Sequence, residues 1–243
     1  MVLEFLLENS VFPIDYRKYM LSYSKNALSQ KGFEKFYQEY FGENKIKPYT
    51  FSVYLPDADF KKDAAIIPGK KIAMIFSTDD KRTDFIFTNA FIGQLNKTFN
   101  LGINKMTLNH IEHRAPKIIK SSSCIARSIS PIVVREHDRE TNKDHFVTIK
   151  DANFVSKLNI YVKNQLRMIG FKEKDVEAFS VTPLQCKSTG AVHYGCYVFG
   201  TVGLYKLEGP SKILQYLVNS GMGSLSSCGF GTLDLIEEIA DAS

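Results

Sequence analysis

Residues 220–231 read Ser-Gly-Met-Gly-Ser-Leu-Ser-Ser-Cys-Gly-Phe-Gly, two Gly-hydrophobic-Gly triplets separated by five residues. Glycine lets a backbone turn tightly and approach another molecule closely. Consecutive backbone N–H groups in such a loop can form a concave anion site, and serine hydroxyls add donors. The chemistry expected is phosphate binding by Gly221, Gly223, Ser224, Ser226, Ser227, Gly229 and Gly231, with a tight turn as the plain structural alternative. Other reactive residue types are scattered. His110 and His113 flank Ile-Glu in a strand-like run, where a spacing of three puts them on opposite faces, so they make no metal pair. His137 and His145 lie in a charged segment, and His193 begins a strand-like run. Cysteines 124, 186, 196 and 228 form no Cys-x-x-Cys pair and have no histidine at ligand spacing, so buried free thiols are expected. No phosphate-binding P-loop, nucleophile elbow or His-Glu-x-x-His motif is present.

The elements that must position the loop follow from periodicity. The first eight residues alternate like a strand, Pro13 opens a helix, and Tyr16, Tyr19, Met20, Tyr23 and Ala27 place a stripe on a helix over 16–28. A short aromatic helix is expected over 32–41, and strands over 49–55 and 71–77. Asp79-Asp80 starts a helix reaching about Lys97, and a strand over 103–113 follows. Strand, helix, strand, strand, helix, strand is the ferredoxin-like order. The second half reads similarly. Irregular strands cover 121–134, a polar hairpin covers 135–145, and a helix over 151–169 is capped by Gly170. Strands over 176–183, 184–188 and 192–207, a helix over 211–219 and a last strand over 230–236 complete it. The expected fold is α+β, two tandem ferredoxin-like units over 1–116 and 117–243, joined near 115–121.

The chain has 243 residues, 31 Lys plus Arg against 26 Asp plus Glu, and 44% hydrophobic residues. Disordered, collagenous and disulfide-scaffold classes are excluded by that composition. No apolar run approaches the roughly 20 residues of a spanning helix, and the N-terminus lacks a basic n-region, so a cytoplasmic protein off the membrane is expected. The net charge of +5 is compatible with a polyanionic partner but does not decide one.

The two glycine triplets resemble the C-terminal loop of the CRISPR-associated endoribonucleases that cut repeat transcripts into guide RNAs. Phe12-Pro-Ile-Asp-Tyr-Arg17, Lys47-Pro-Tyr-Thr-Phe-Ser-Val-Tyr54, Ser128-Ile-Ser-Pro-Ile-Val-Val-Arg135 and Leu204-Tyr-Lys-Leu-Glu-Gly-Pro210 are similar to that family too. The resemblance implies a tandem ferredoxin-like fold and cleavage without metal or cofactor. The ribose 2′-hydroxyl attacks the scissile phosphate, leaving a 2′,3′-cyclic phosphate and a 5′-hydroxyl. Relatives usually place a catalytic histidine between the first helix and the second strand. Here the five histidines all lie from His110 onward.

Candidates at the equivalent place are Lys25, Tyr37, Tyr40 and Lys47, with Lys45 beside them. Lysine can neutralise phosphorane charge or exchange a proton if its pKa falls, and tyrosine can protonate a leaving oxygen. Lys117, Lys120, Arg127, Arg135 and Arg139, around the mid-chain strands, are the expected grip on the backbone of a repeat stem. The glycine loop itself has no Lys or Arg, unlike that of many relatives. The partner implied is CRISPR repeat RNA, precursor or mature. Effector-complex subunits and a second copy of the chain remain open as further partners. The alternative from another class is a repeat-RNA-binding subunit that does not cut.

Overall fold

The computed structural model describes residues 1–43, 45–141 and 143–240. In chain order the elements are β1 (Val2–Leu7), β2 (Val11–Pro13), α1 (Tyr16–Leu28), α2 (Glu34–Tyr37), β3 (Tyr49–Tyr54), β4 (Asp59–Phe60), β5 (Ala64–Ile66), β6 (Lys71–Thr78), α3 (Lys81–Ile92), β7 (Thr98–Asn100) and β8 (Lys105–Glu112). The second half has β9 (Ser123–Ser128), β10 (Val134–Asp138), β11 (Lys143–Val147), α4 (Phe154–Met168), α5 (Glu173–Glu177), β12 (Ser180–His193), β13 (Cys196–Glu208), α6 (Ser211–Ser220) and β14 (Leu233–Ile239).

Alternation in β1 turns Leu3, Phe5 and Leu7 inward, where they meet the α1 stripe of Met20, Tyr23 and Ala27. Tyr23 packs edge-on to Phe5 at 5.1 Å and stacks on Phe91 of α3 at 5.9 Å, so α1 and α3 share one core. Helix α3 starts where the sequence places it, because the Asp80 carboxylate accepts the Thr83 N–H at 2.9 Å. The resulting sheet runs β3-β6-β1-β8, with β7 on its edge, and its paired strands are antiparallel. In the second half the order is β12-β13-β9-β14, the same ferredoxin-like order, with β10–β11 inserted as a separate hairpin. A second core gathers Leu158, Val162 and Leu166 of α4 with Ile213, Leu214 and Leu217 of α6. The tandem ferredoxin-like expectation therefore holds.

Several boundaries differ from the periodicity reading. The aromatic segment forms one turn of α2 and then a wide π turn over 38–42. Helix α3 ends at Ile92 rather than near Lys97, and Phe85 points outward. Val176 belongs to α5, not to a strand. Beyond it, β12 runs unbroken through Leu184, because a bulge between Pro183 and Gln185 absorbs the proline that a regular ladder would exclude. The last strand begins at Leu233. Asn142, within the expected polar segment 135–145, lies outside the described residues. Among the described residues no helix is long and apolar enough to cross a membrane.

Candidate nucleic-acid interface

The glycine loop closes the joint between the two halves. Helix α6 ends at Ser220, whose hydroxyl donates to the Pro48 carbonyl at 3.2 Å and accepts the Asp79 N–H at 3.0 Å. Gln165, buried on α4, accepts the Gly223 N–H and donates to the Gly221 carbonyl, both at 3.1 Å, bracketing Met222. The Thr50 and Thr232 hydroxyls lie 2.8 Å apart, and the pair also reaches the Phe51 carbonyl from Thr232 at 2.8 Å and the Phe230 carbonyl from Thr50 at 3.1 Å. Arg17 crosses the joint, donating to the Gly229 carbonyl at 3.1 Å with its guanidinium 4.6 Å from the Phe230 ring centre.

These contacts correct the anion-cradle expectation. The N–H groups of Gly221, Gly223, Gly229 and Gly231 donate to Leu217 O, Gln165 Oε1, Ser226 O and Pro131 O, and the Ser224 N–H donates to Val133 O. Gly221, Gly223 and Gly231 are buried, as are Ser224 and Ser226; Ser227 is half-buried. The glycines are needed for close packing. A Cβ on Gly223 would stand 2.7 Å from the Val133 carbonyl oxygen, and one on Gly231, at φ +65°, would overlap the Met222 carbonyl.

Over Ser226–Cys228 the loop packs on α1, which carries Lys25, and on β3, which Lys47 precedes. Lys47 is half-buried, with its ammonium donating to the Lys45 carbonyl at 3.3 Å. Burial lowers its pKa below the ordinary lysine value; the Cys228 thiolate would oppose that, and Lys25 and Lys45 add to it. Burial raises the Cys228 pKa, while the Ser227 hydrogen bond, Lys47, Lys25 and Arg135 pull it down. Lys25, Lys47 and Arg135 thus act on one spot from α1, the approach to β3, and β10. Lys25 lies 5.5 Å from the Phe41 ring centre and lines an open pocket of about 370 Å³ with Tyr37, Asn26 and Glu34.

Tyr40 is not in this group. It is buried among Phe87 and Tyr49, its hydroxyl is 2.7 Å from Thr83 Oγ1, and burial raises its pKa. Nor do the mid-chain cations form one groove. Lys117 pairs with Asp234 at 2.9 Å, and the exposed Lys120 donates its backbone N–H to Glu238 at 2.7 Å. Arg127 lines a pocket of about 480 Å³ with Gln185 and Lys187. Exposed Arg139 sits in the β10–β11 turn, and Arg135 pairs with Asp144 at 3.3 Å and is the one of the five that helps to pull the Cys228 pKa down.

Sequence reasoning missed the β12–β13 turn, which closes the other side of the joint. Buried Asp15 accepts the N–H groups of Tyr194 and Gly195 at 3.1 and 3.0 Å. His193 bridges the turn to the glycine loop, its ring 4.7 Å from the Tyr194 ring and 5.6 Å from the Phe230 ring, so the turn borders the loop. The Tyr-Gly pair at 194–195 was the available turn signal. Among the described residues no three His, Cys, Asp or Glu side chains gather as a metal site.

Residues 113–235 match the family described as CRISPR associated protein Cas6, C-terminal. The chain belongs to the Cas6 family. No curated protein matches it in sequence. Among solved structures, an RAMP protein binding different RNA substrates has a TM-score of 0.82 at 19% identity, covering 97% of this chain and 98% of that one. The product of a Cas6-related gene from Pyrococcus furiosus also scores 0.82, at 20% identity over 98% and 99% of the two chains. A Cas6 product complex scores 0.67 at 14% identity over 97% and 98%. At these identities the likeness is one of fold, and it covers both ferredoxin-like halves.

Proposed function

We propose that this Cas6-family protein binds CRISPR repeat RNA and cuts it without a metal, by attack of a ribose 2′-hydroxyl on the adjacent phosphate. The P–O2′ bond forms, the P–O5′ bond breaks, and the products carry a 2′,3′-cyclic phosphate and a 5′-hydroxyl. Neutral Lys47 takes the 2′-hydroxyl proton. Lys25 and Arg135 offset charge on the phosphorane, and Tyr37, on the pocket that Lys25 lines, or Lys25 itself returns a proton to the leaving oxygen. The observation that carries this reading is the half-buried Lys47, its pKa drawn down by burial beside two further cations at the joint. The relatives whose structures include an RNA-binding RAMP protein and a Cas6 product complex support RNA as the ligand.

A second reading, a repeat-RNA-binding subunit that does not cut, is favoured by one observation. Besides burial, the groups that lower the Lys47 pKa are Lys25 and Lys45, and no histidine precedes residue 110. The test is incubation with the repeat RNA of its own genome in EDTA, beside RNA carrying one 2′-deoxy substitution upstream of the cut. Cleavage of the unmodified strand alone, with cyclic phosphate ends, supports the enzyme. Tight binding without product from either RNA supports the second reading.

A further inference from the structure

The β12–β13 hairpin extends past the sheet that anchors it, since β9 pairs with β13 only over Leu204–Glu208 while β12 and β13 pair from Glu208 to Cys196. Its distal part has two unlike faces. Inward, Val198 packs with Phe230 and Val133, and His193 meets the Phe230 ring edge-on at 5.6 Å. Outward, Tyr197 and Phe199 share a face because they stand two residues apart on one strand. They are 68% and 50% exposed, with ring centres 6.4 Å apart and planes within 18°. Gly190 stands opposite Phe199, and a Cβ there would touch the Phe199 ring at 3.4 Å, so the ring lies over bare backbone.

The turn adds a third exposed ring. Tyr194 is 56% exposed and holds φ at +50°, a left-handed conformation that a bulky aromatic rarely adopts. The Asp15 carboxylate holds that turn through two N–H groups, and the His193 ring backs the Tyr194 ring at 4.7 Å. A solvated strand face would ordinarily carry polar residues; here three aromatic rings face water within six residues of chain.

We propose that Tyr194, Tyr197 and Phe199 form a stacking surface for unpaired nucleobases of the RNA strand whose phosphate is held at the Lys25–Lys47 cluster. This rests on the RNA-binding reading above. Every base has a π face, so exposed aromatics on a strand take bases of any sequence, while neighbouring cations follow the phosphates. Continuity decides the occupant: His193, which backs Tyr194, also meets Phe230 of the glycine loop, Cys228 packs on the same Val133–Val198–Phe230 cluster, and the loop over Ser226–Cys228 packs on α1, which carries Lys25, and on β3, which Lys47 precedes.

The test uses the full chain and short single-stranded RNAs with 2-aminopurine at successive positions beside the cut. Affinity is read by anisotropy at two salt concentrations, and stacking by fluorescence quenching. The double variant Tyr197→Thr/Phe199→Thr keeps strand propensity, and Tyr194→Asn keeps a residue tolerant of left-handed backbone. Each is expected to lose quenching at one or two positions and to weaken binding roughly five- to a hundredfold per lost stack, with an unchanged salt slope. The single variant Tyr197→Phe should keep both at the wild-type level. Wild-type affinity and quenching in the aromatic variants would overturn the stacking surface while leaving the RNA reading intact; failure of the wild-type protein to bind any RNA would overturn both. If the same variants instead turn an RNA-free dimer into a monomer with RNA affinity unchanged, the face is a protein interface and the proposal falls.

Discussion

At the scale of single residues, the proposed cleavage rests on Lys47, and its burial sets the sign of a pH prediction. A general base works only when unprotonated, so a lysine with its pKa below 10.5 gains competent population at lower pH than an exposed one. Single-turnover cleavage should rise with pH and level off below the ordinary lysine range. Lys47→Ala should cost about 10²- to 10⁴-fold. Lys47→Arg separates roles: a guanidinium keeps the charge but cannot give up its proton, so a base role predicts no rescue and a purely electrostatic role predicts substantial rescue. Tyr40→Phe is the contrasting case, since the phenol only meets Thr83 inside the core. It should cost about 0.5–1.5 kcal/mol in denaturant melts and leave the cleavage rate unchanged.

At the scale of elements, the glycine loop shows how a motif can be legible while its job is not. The triplets are plain in sequence, and so is their place between α6 and β14. What the loop's N–H groups face is decided by Pro131, Val133 and Gln165, roughly 60 to 100 residues away in the chain, and no local pattern reports that. Substitution reads the distinction directly. Gly32 has φ +93°, but a Cβ added to it would meet nothing within 4 Å, so Gly32→Ala should cost only the left-handed backbone penalty, about 1–2 kcal/mol. Gly231→Ala adds overlap with the Met222 carbonyl and should lower Tm well beyond that, at about 2–4 °C per kcal/mol for a chain of this size. Equal losses in the two variants would mean that the loop is not tightly packed. The ferredoxin-like helices and central strands were readable because their buried stripes are periodic. The β12–β13 arm was broken up because Pro183 and Gly190 read as stops, whereas a bulge accommodates the proline and Phe199 covers the glycine.

At the scale of the whole molecule, the two halves are locked by buried polar contacts, and the hairpin is tied across them by Asp15. His193 makes that tie sensitive to acid. Its ring is buried between Phe230 and Tyr194, and Nδ1 has no hydrogen-bond partner among the described residues. Burial lowers its pKa from 6.5, with Asp15 opposing and Arg17 adding to the shift. The unfolded chain takes up a proton near pH 6.5, while the folded protein resists until lower pH. Stability contributed by neutral His193 is therefore whole above 6.5 and declines as pH falls toward the folded-state pKa, where the decline ends. Carboxylates held down by hydrogen bonds, such as Asp151 and Glu238, lose their contribution in a separate window below the ordinary carboxylate range. Thermal melts from pH 8 to 5 should show the wild-type Tm falling relative to His193→Phe, which keeps the ring contacts and cannot protonate. Hydrogen-exchange protection at the Tyr194 and Gly195 amides should fall over the same interval, because those are the groups Asp15 holds. Parallel Tm curves for the two proteins would show that His193 is not the acid-sensitive element, and the arm would then be held by the Asp15 turn and by Val198 packing on Phe230 and Val133, neither of which depends on its proton.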